Sequence, residues 1–391
     1  MKSPAAGDRD LLLDVSRLIW RVWRGGLPTG IDRVCIAYLR HYAPRSLAVV
    51  QRGGRQFVFS PRQSSRLFDV LLSGKKRMRT RLARAVLTGL VTGRRAPPRR
   101  GMIYLNVGHT GLNEPTLPAW IAEFGLRAVY MVHDLIPITH PEFCRPAELE
   151  KHRRRIANVL SSASGIIGNS QASIDELAAY AATQQASLPP AIAAWISGWD
   201  RPPSVEAKKM ARPYFVTLGT IEGRKNHRLL IDVWRLLVGK LGQAAPILVI
   251  IGQRGWQAAE VIQVLDRPEQ LEGHVLELGS CKDRDLAGWI AGARALLMPS
   301  FAEGFGLPLI EAMELGTAVI ANDLPVFREI AGDIPTYLAP QDADAWRAAI
   351  LAFMQDGPDL ARQKAALKSY RAPNWAGHFK TVDAWLATLK V

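Results

Sequence analysis

Pro299-Ser300-Phe301-Ala302-Glu303-Gly304-Phe305-Gly306-Leu307-Pro308-Leu309-Ile310-Glu311-Ala312-Met313-Glu314-Leu315-Gly316 reads as the end of a strand, a glycine loop and a helix. Ahead of it, Ala295-Leu296-Leu297-Met298 is a short apolar run of the kind a parallel strand buries on both faces. Pro308 suits the first helical turn, where a missing N–H costs nothing, and Gly316 suits the position just past the helix end. Gly304 and Gly306 let a ligand approach the backbone, and the helix start offers free N–H groups to an anion. Glu303 in the loop and Glu311 about one turn into the helix supply two acceptor-only groups, which suit a polyhydroxylated ligand. The bland reading of the same residues is a tight turn with two solvated glutamates.

The segments on either side repeat this alternation. Tyr214-Phe215-Val216-Thr217-Leu218 is a strand, followed by Gly219-Thr220-Ile221-Glu222-Gly223-Arg224-Lys225-Asn226-His227. Arg224 and Lys225, adjacent in a loop before a helix, can neutralise a diphosphate, one with a fork of donors and the other as a point charge. Pro246 to Gly252, Val275 to Gly279 and Ala318 to Asp323 are further strands, with helices expected at 284–293 and from Pro325. Strands and helices alternate throughout without internal repeats, which predicts an α/β chain of parallel sheets.

The two glutamates flanking Gly-Phe-Gly-Leu-Pro resemble the donor-site signature of retaining nucleotide-sugar glycosyltransferases of family 4. The resemblance covers nearly the whole chain and is strongest over 212–335. It implies the GT-B fold: two Rossmann-like domains facing a central cleft, with a C-terminal helix crossing back to the first domain. It also implies roles. Glu303 would face the sugar and Glu311 the ribose hydroxyls, while Gly304, Phe305, Gly306 and Leu307 would offer loop backbone to sugar and diphosphate. Gly219, Thr220 and Lys225 would form the diphosphate loop, with Thr220 standing where many relatives carry Arg and Arg224 as the candidate substitute. The loop at Cys281 would hold the nucleobase.

In the first half, Leu11 to Val15, Leu47 to Gln51, Gln56 to Ser60, Met102 to Val107 and Ala128 to Val132 read as strands, with a Gly53-Gly54 turn. Gly25 to Val34 resembles the family's first glycine loop, which would place Thr29 and Gly30 against the donor diphosphate. His133-Asp134 resembles the family's His-Asp loop, where the His approaches the transferred sugar. A structural histidine, or a metal set with Asp134 and His140, are the other readings of these residues. Ile166 to Ser170 and a helix from Gln171 resemble the strand and helix that close the first domain. Pro189-Pro190 and Arg201-Pro202-Pro203 bracket the connection, which puts the domains at 1–205 and 206–372 and the final helix at 373–391.

Charge is unevenly placed. The chain of 391 residues carries a net charge of +15, and residues 1–205 hold 29 Lys/Arg against 14 Asp/Glu, while the rest holds 21 of each. That asymmetry marks a face for an anionic partner. Between Lys75 and Arg100 there are ten cations, and Met78, Leu82, Val86 and Leu90 recur every four residues beside Arg77, Arg81 and Arg84. The pattern is that of an interfacial membrane helix, which is the favoured reading; an ordinary surface helix packed on the domain core carries the same stripe. The absence of aromatics there disfavours single-stranded nucleic acid. Arg153 and Arg154 add a second basic face on a helix from about 149 to 161.

Three scattered cysteines, Cys35, Cys144 and Cys281, argue against a disulfide framework or a zinc site. The first residues lack the apolar core of a signal peptide, so the expectation is a cytoplasmic protein, peripheral at the inner membrane face. Together with the resemblance, these readings imply a metal-independent, retaining hexosyltransferase without a cofactor. Its donor would be a nucleotide diphosphate sugar, with a lean to GDP-mannose over UDP-sugars, and its acceptor a lipid-linked glycan of bacterial surface polysaccharide such as capsule or O-antigen. Two other classes stand beside it: another GT-B enzyme such as an epimerase or phosphorylase, and a non-catalytic protein binding membrane or nucleic acid through its basic half.

Overall fold

A computed structural model describes residues 9–25, 29–73, 78–91, 97–199, 202 and 204–389. The chain divides into two units, Met1–Ile196 with Asn374–Val391, and Ser197–Pro373.

The strands of the first unit are β1 (Leu11–Asp14), β2 (Ser46–Arg52), β3 (Arg55–Val58), β4 (Ile103–Asn106), β5 (Arg127–Val132), β6 (Ala163–Gly168) and β7 (Ala191–Ala193). They form one sheet in the order β3-β2-β1-β4-β5-β6-β7. Every pairing is parallel except β2 with β3, a hairpin whose tip places Gly53 and Gly54 at φ 55° and 71°. In the second unit, β8 (Tyr214–Leu218), β9 (Ile247–Ile251), β10 (Val275–Leu278), β11 (Ala295–Met298), β12 (Ala318–Asn322) and β13 (Thr336–Leu338) form a fully parallel sheet of order β10-β9-β8-β11-β12-β13. Each order reverses direction once, between β1 and β4 and between β8 and β11. Doubly wound sheets bind ligands at the carboxyl ends of the strands flanking such a reversal.

The apolar runs form central strands because both faces are covered. Residues of β8, β9, β11 and β12 are buried along their whole lengths, against helices carrying Trp234, Trp346 and Phe353. The two three-residue edge strands, β7 and β13, escape the sequence reading because neither is long enough to show a pattern. β7 follows Pro189-Pro190, read from sequence as part of the interdomain connection, and instead extends the first sheet. Beyond it, Ser197 begins the second unit ahead of the expected residue 206. Residues there pack on their own unit: the Lys208 N–H donates to the Gly288 carbonyl at 2.9 Å.

Helix Trp375–Leu386 belongs to the first unit. Tyr38 Oη lies 2.8 Å from His378 Nε2, Tyr42 donates to Asp383 at 2.7 Å, and Phe379 stacks on His41 with ring centroids 3.9 Å apart.

The basic stretch also forms a helix, Met78–Val91, but its apolar stripe is not an open face. Leu82 is fully buried and Val86 half-buried, because the helix packs on helix Pro61–Leu72. Arg81 and Arg84 are exposed, with Arg81 3.3 Å from Ser73 Oγ. The stripe is thus largely consumed by packing on the protein. Arg77, the Leu90 side chain and Gly26-Leu27-Pro28 lie outside the described residues. Among the described residues, no helix is long and apolar enough to cross a membrane.

Candidate active site

The site in the second unit is built where β8 and β11 end, on the two sides of the reversal. Gly219 follows β8 at φ 133°, a conformation open to glycine, and a Cβ there would lie 3.0 Å from Lys225 Cε. This glycine gives the lysine its place. The loop then turns at Asn226, φ 54°, whose side chain donates to the carbonyls of Pro340 at 2.9 Å and Pro299 at 3.3 Å. The Phe301 N–H donates to the Arg224 carbonyl at 2.9 Å, and Asn322 donates to the Ser300 carbonyl at 2.9 Å. The loops after β8 and β11 and the end of β12 are therefore tied together by one backbone bond and by the Asn226 and Asn322 side chains on backbone carbonyls.

On this frame sits a buried ion cluster. Lys225 Nζ lies 2.5 Å from Glu303 Oε1, and Arg224 Nη1 lies 3.1 Å from Glu303 Oε2 while also donating to the Ala302 carbonyl at 2.6 Å. Arg224 Nη2 reaches Glu222 at 2.8 Å. Side-chain exposure is only 7% at Glu303 and 11% at Lys225, so these charges interact with little water between them. Burial alone would raise the Glu303 pKa, but the two cations outweigh it and hold the carboxyl down at about 2. Burial pulls Lys225 downward, with the Glu303 carboxylate opposing. Arg224 is pushed up by Glu303 and Glu222 against the effect of its burial.

Gly306, φ 102°, starts helix Leu307–Glu314, and a Cβ there would meet the Phe327 ring at 2.7 Å, so both conformation and space call for glycine. Phe305 is buried and Leu307 half-buried. Glu311 is 4% exposed, and a Cβ on Gly198 would sit 3.0 Å from its Cγ. The sequence offered no sign that Gly198 covers Glu311, because the two are far apart in the chain. Thr220 is exposed, Gly304 half-buried, and Cys281 half-buried in the loop after β10.

The first unit holds Thr29, Gly30 and His133. Thr29 caps helix Gly30–Tyr42: its N–H and hydroxyl donate to Asp32 at 2.8 and 2.9 Å, and Arg17 bonds Asp32 at 2.8 Å. His133, at the end of β5, is 4% exposed and lies 2.8 Å from the Val107 carbonyl through Nε2. Asp134 accepts from the Ile136 N–H at 3.2 Å. Two further histidines that no sequence motif marks group with His133. His109 lies 4.8 Å from it, ring to ring, and His152 lies 6.3 Å from His109. Burial drives His133 and His152 down to about 4, and His109 downward as well, so all three are neutral at pH 7. His109 has φ 61°, a left-handed conformation in a non-glycine residue, at the end of β4. Its position at the first sheet's reversal is set by strand order, which spacing in the sequence does not display. Arg153 and Arg154 are exposed. Among the described residues no three His, Cys, Asp or Glu gather to hold a metal.

The fold is that of the GT-B glycosyltransferases. HepE of Anabaena, solved with UDP, aligns over 97% of this chain and 99% of its own with a TM-score of 0.64 at 17% identity. Sucrose-phosphate synthase of Thermosynechococcus elongatus aligns over 97% and 98% with a TM-score of 0.62 at 15% identity. Residues 201–370 match the family model Glycosyl transferases group 1. Among relatives, O-antigen chain mannosyltransferase B of Escherichia coli is 38% identical over 143 residues, 37% of each chain. The serotype-specific mannosyltransferase WbdA of Escherichia coli is 29% identical over 241 residues, 56% of this chain and 29% of its own. The matched stretches thus span about a third of the length of these relatives.

Proposed function

We propose that the chain is a retaining glycosyltransferase that moves mannose from GDP-mannose to a lipid-linked glycan in bacterial surface-polysaccharide synthesis, at the inner face of the membrane. The observation that carries this reading is the buried Lys225–Glu303–Arg224 cluster at the carboxyl ends of β8 and β11. The names of the relatives, O-antigen and serotype-specific mannosyltransferases, support the sugar and the pathway class.

Breaking the bond to a nucleoside diphosphate requires negative charge to be stabilised on the leaving group as the anomeric carbon becomes positive. Lys225 and Arg224 are fixed cations, and the N-terminus of helix Leu307–Glu314 adds a partial positive charge. Held ready by Glu303, they need no reorganisation when the diphosphate arrives; its oxygens take over contacts that Glu303 fills in the free protein. Glu303 is then released toward the sugar as a positioning group, and Glu311 holds the ribose. The departing phosphate accepts the acceptor's proton on the face it leaves, which retains the anomeric configuration. No metal or cofactor is required in this scheme.

Calorimetric titration with GDP and UDP, followed by their sugars, tests the donor. Tight GDP binding with turnover of GDP-mannose in the presence of EDTA, and an α-configured product by NMR, is the expected result. Binding of UDP alone would overturn the mannosyl assignment, and consumption of donor without an acceptor would favour an epimerase.

A further inference from the structure

A second cleft lies wholly within the first unit, at the reversal between β1 and β4. It encloses about 570 Å3, and its walls include Arg17, Trp20, Arg21, His109, Lys151 and Arg155. Two carboxylates, Asp32 and Glu114, also line it. Asp32 is committed to Arg17 and the Thr29 cap, and Lys151 reaches Glu148 at 3.5 Å. Arg21 and Arg155 differ: neither makes an ion pair with a carboxylate among the described residues. Arg21 Nη1 and Arg155 Nε are also buried without a hydrogen-bond partner there. Unsatisfied buried guanidinium N–H groups are costly, and a cleft that keeps two of them is suited to an anion.

The cleft's construction places these cations deliberately. On helix Pro146–Ser162, Lys151 and Arg155 stand one turn apart and face the cleft, while Arg153 and Arg154 turn to solvent. Arg155 is braced by His152 Nδ1 at 2.6 Å, and His152 Nε2 is anchored to the Asp134 carbonyl at 3.2 Å. The loop carrying His109 is fixed from below. Gln51 and Asn106 each donate to the Thr110 carbonyl at 3.0 Å, and Gln51 is tied in turn to the buried Asp14 at 2.8 Å. Trp20, 44% exposed, supplies an aromatic wall of the kind that packs on a pyranose face.

We infer that this cleft binds a saccharide bearing a phosphate or diphosphate ester, with the ester on Arg21 and Arg155 and the sugar against Trp20. The inference rests on the glycosyltransferase reading and names its acceptor class: an acceptor whose charged ester lies close to the sugar that is extended. It relocates acceptor recognition from the exposed Arg153 and Arg154 to the cleft-lining Lys151 and Arg155 of the same helix.

The test is calorimetric titration of the full chain, saturated with GDP and UDP so that the donor site is filled, with mannose 1-phosphate, farnesyl diphosphate and methyl α-mannoside. Mannose 1-phosphate and farnesyl diphosphate separate a soluble sugar phosphate from a lipid-borne diphosphate. Arg21→Ala and Arg155→Met should each weaken the phosphate probe that binds by about tenfold, the loss expected for one charge-assisted contact. Affinity for the nucleotides should be unchanged, and methyl α-mannoside should bind more weakly than either charged probe. Because Arg155 also braces His152, Arg21→Ala carries the test independently of folding. Equal binding of a charged probe by wild type and Arg21→Ala, or no binding of either charged probe by wild type, would overturn the inference. So would loss in Arg21→Ala of binding to phosphatidylglycerol vesicles alone, which would make the face a membrane patch. Intact nucleotide binding beside any of these failures leaves the donor reading standing; absent nucleotide binding strikes that reading instead.

Discussion

The two units solve opposite electrostatic problems at the same place in the same topology. At the β8/β11 reversal, Arg224 and Lys225 are matched by Glu303 and Glu222 and nearly closed off from water. At the β1/β4 reversal, Arg21 and Arg155 form no close ion pair among the described residues, Asp134 and Glu148 act on Arg155 only at longer range, and the nearby histidines are neutral. A self-neutralised cluster keeps cations in place and makes an incoming diphosphate compete with a carboxylate. An unmatched pair waits for its anion. The uneven charge of the sequence is therefore not only a surface property: part of the N-terminal excess lines a cleft.

The sharpest way to break the comparison is Lys225→Ala. Turnover at saturating donor should fall on the order of 100- to 1000-fold, as for loss of one preorganised charge. Removing one member of a buried ion pair should also cost about 3–5 kcal/mol of stability, read by urea denaturation. A variant with near-normal turnover would remove the cluster from the chemistry.

Acid should separate the units next. His133 and His152 are held at about 4, below the ordinary value near 6.5, so the unfolded chain takes up protons first as pH falls. Their contribution is full above about 6.5 and is lost as pH drops toward 4, on the order of 3 kcal/mol each. Glu303, held at about 2, contributes above its unfolded pKa and loses that contribution only as pH falls from about 4.5 to 2. His227, also held at about 4, gives the second unit a smaller loss in the upper window. Amide hydrogen exchange between pH 7 and 4.5 should therefore show the first unit opening before the second. The reverse order would contradict the burial of its histidines.

Glu311→Ala should weaken nucleotide binding about tenfold and leave turnover at saturation less affected than Lys225→Ala does, as calorimetry and kinetics would show. Unchanged affinity would count against a ribose contact. Smallest, Gly198→Ala should displace Glu311 by a few tenths of an ångström and reduce nucleotide affinity about two- to fivefold with little loss of stability. A larger effect would mean that residues 197–199 themselves line the donor site.

Sequence alone determined the layer architecture and the loops that carry Lys225 and Glu303. Strands such as Tyr214–Leu218 and Ala295–Met298 are continuous apolar runs bounded by glycine, and burial on both faces makes that pattern local and readable. Glu303, Gly306 and Lys225 were legible for a similar reason: glycine, proline and charged residues at close spacing mark a strand-to-helix turn. Tertiary structure decided what spacing cannot encode. Whether Leu82 faces lipid or protein depends on helix Pro61–Leu72 lying beside it, and the same stripe serves either. Which of the cations in Lys151 to Arg155 meet a ligand depends on helix phase and on His109, a residue more than forty positions away whose loop the sheet reversal brings alongside. Charge pairing is a property of distance in space, so the matched and unmatched arginines look alike in sequence and separate only in the folded chain.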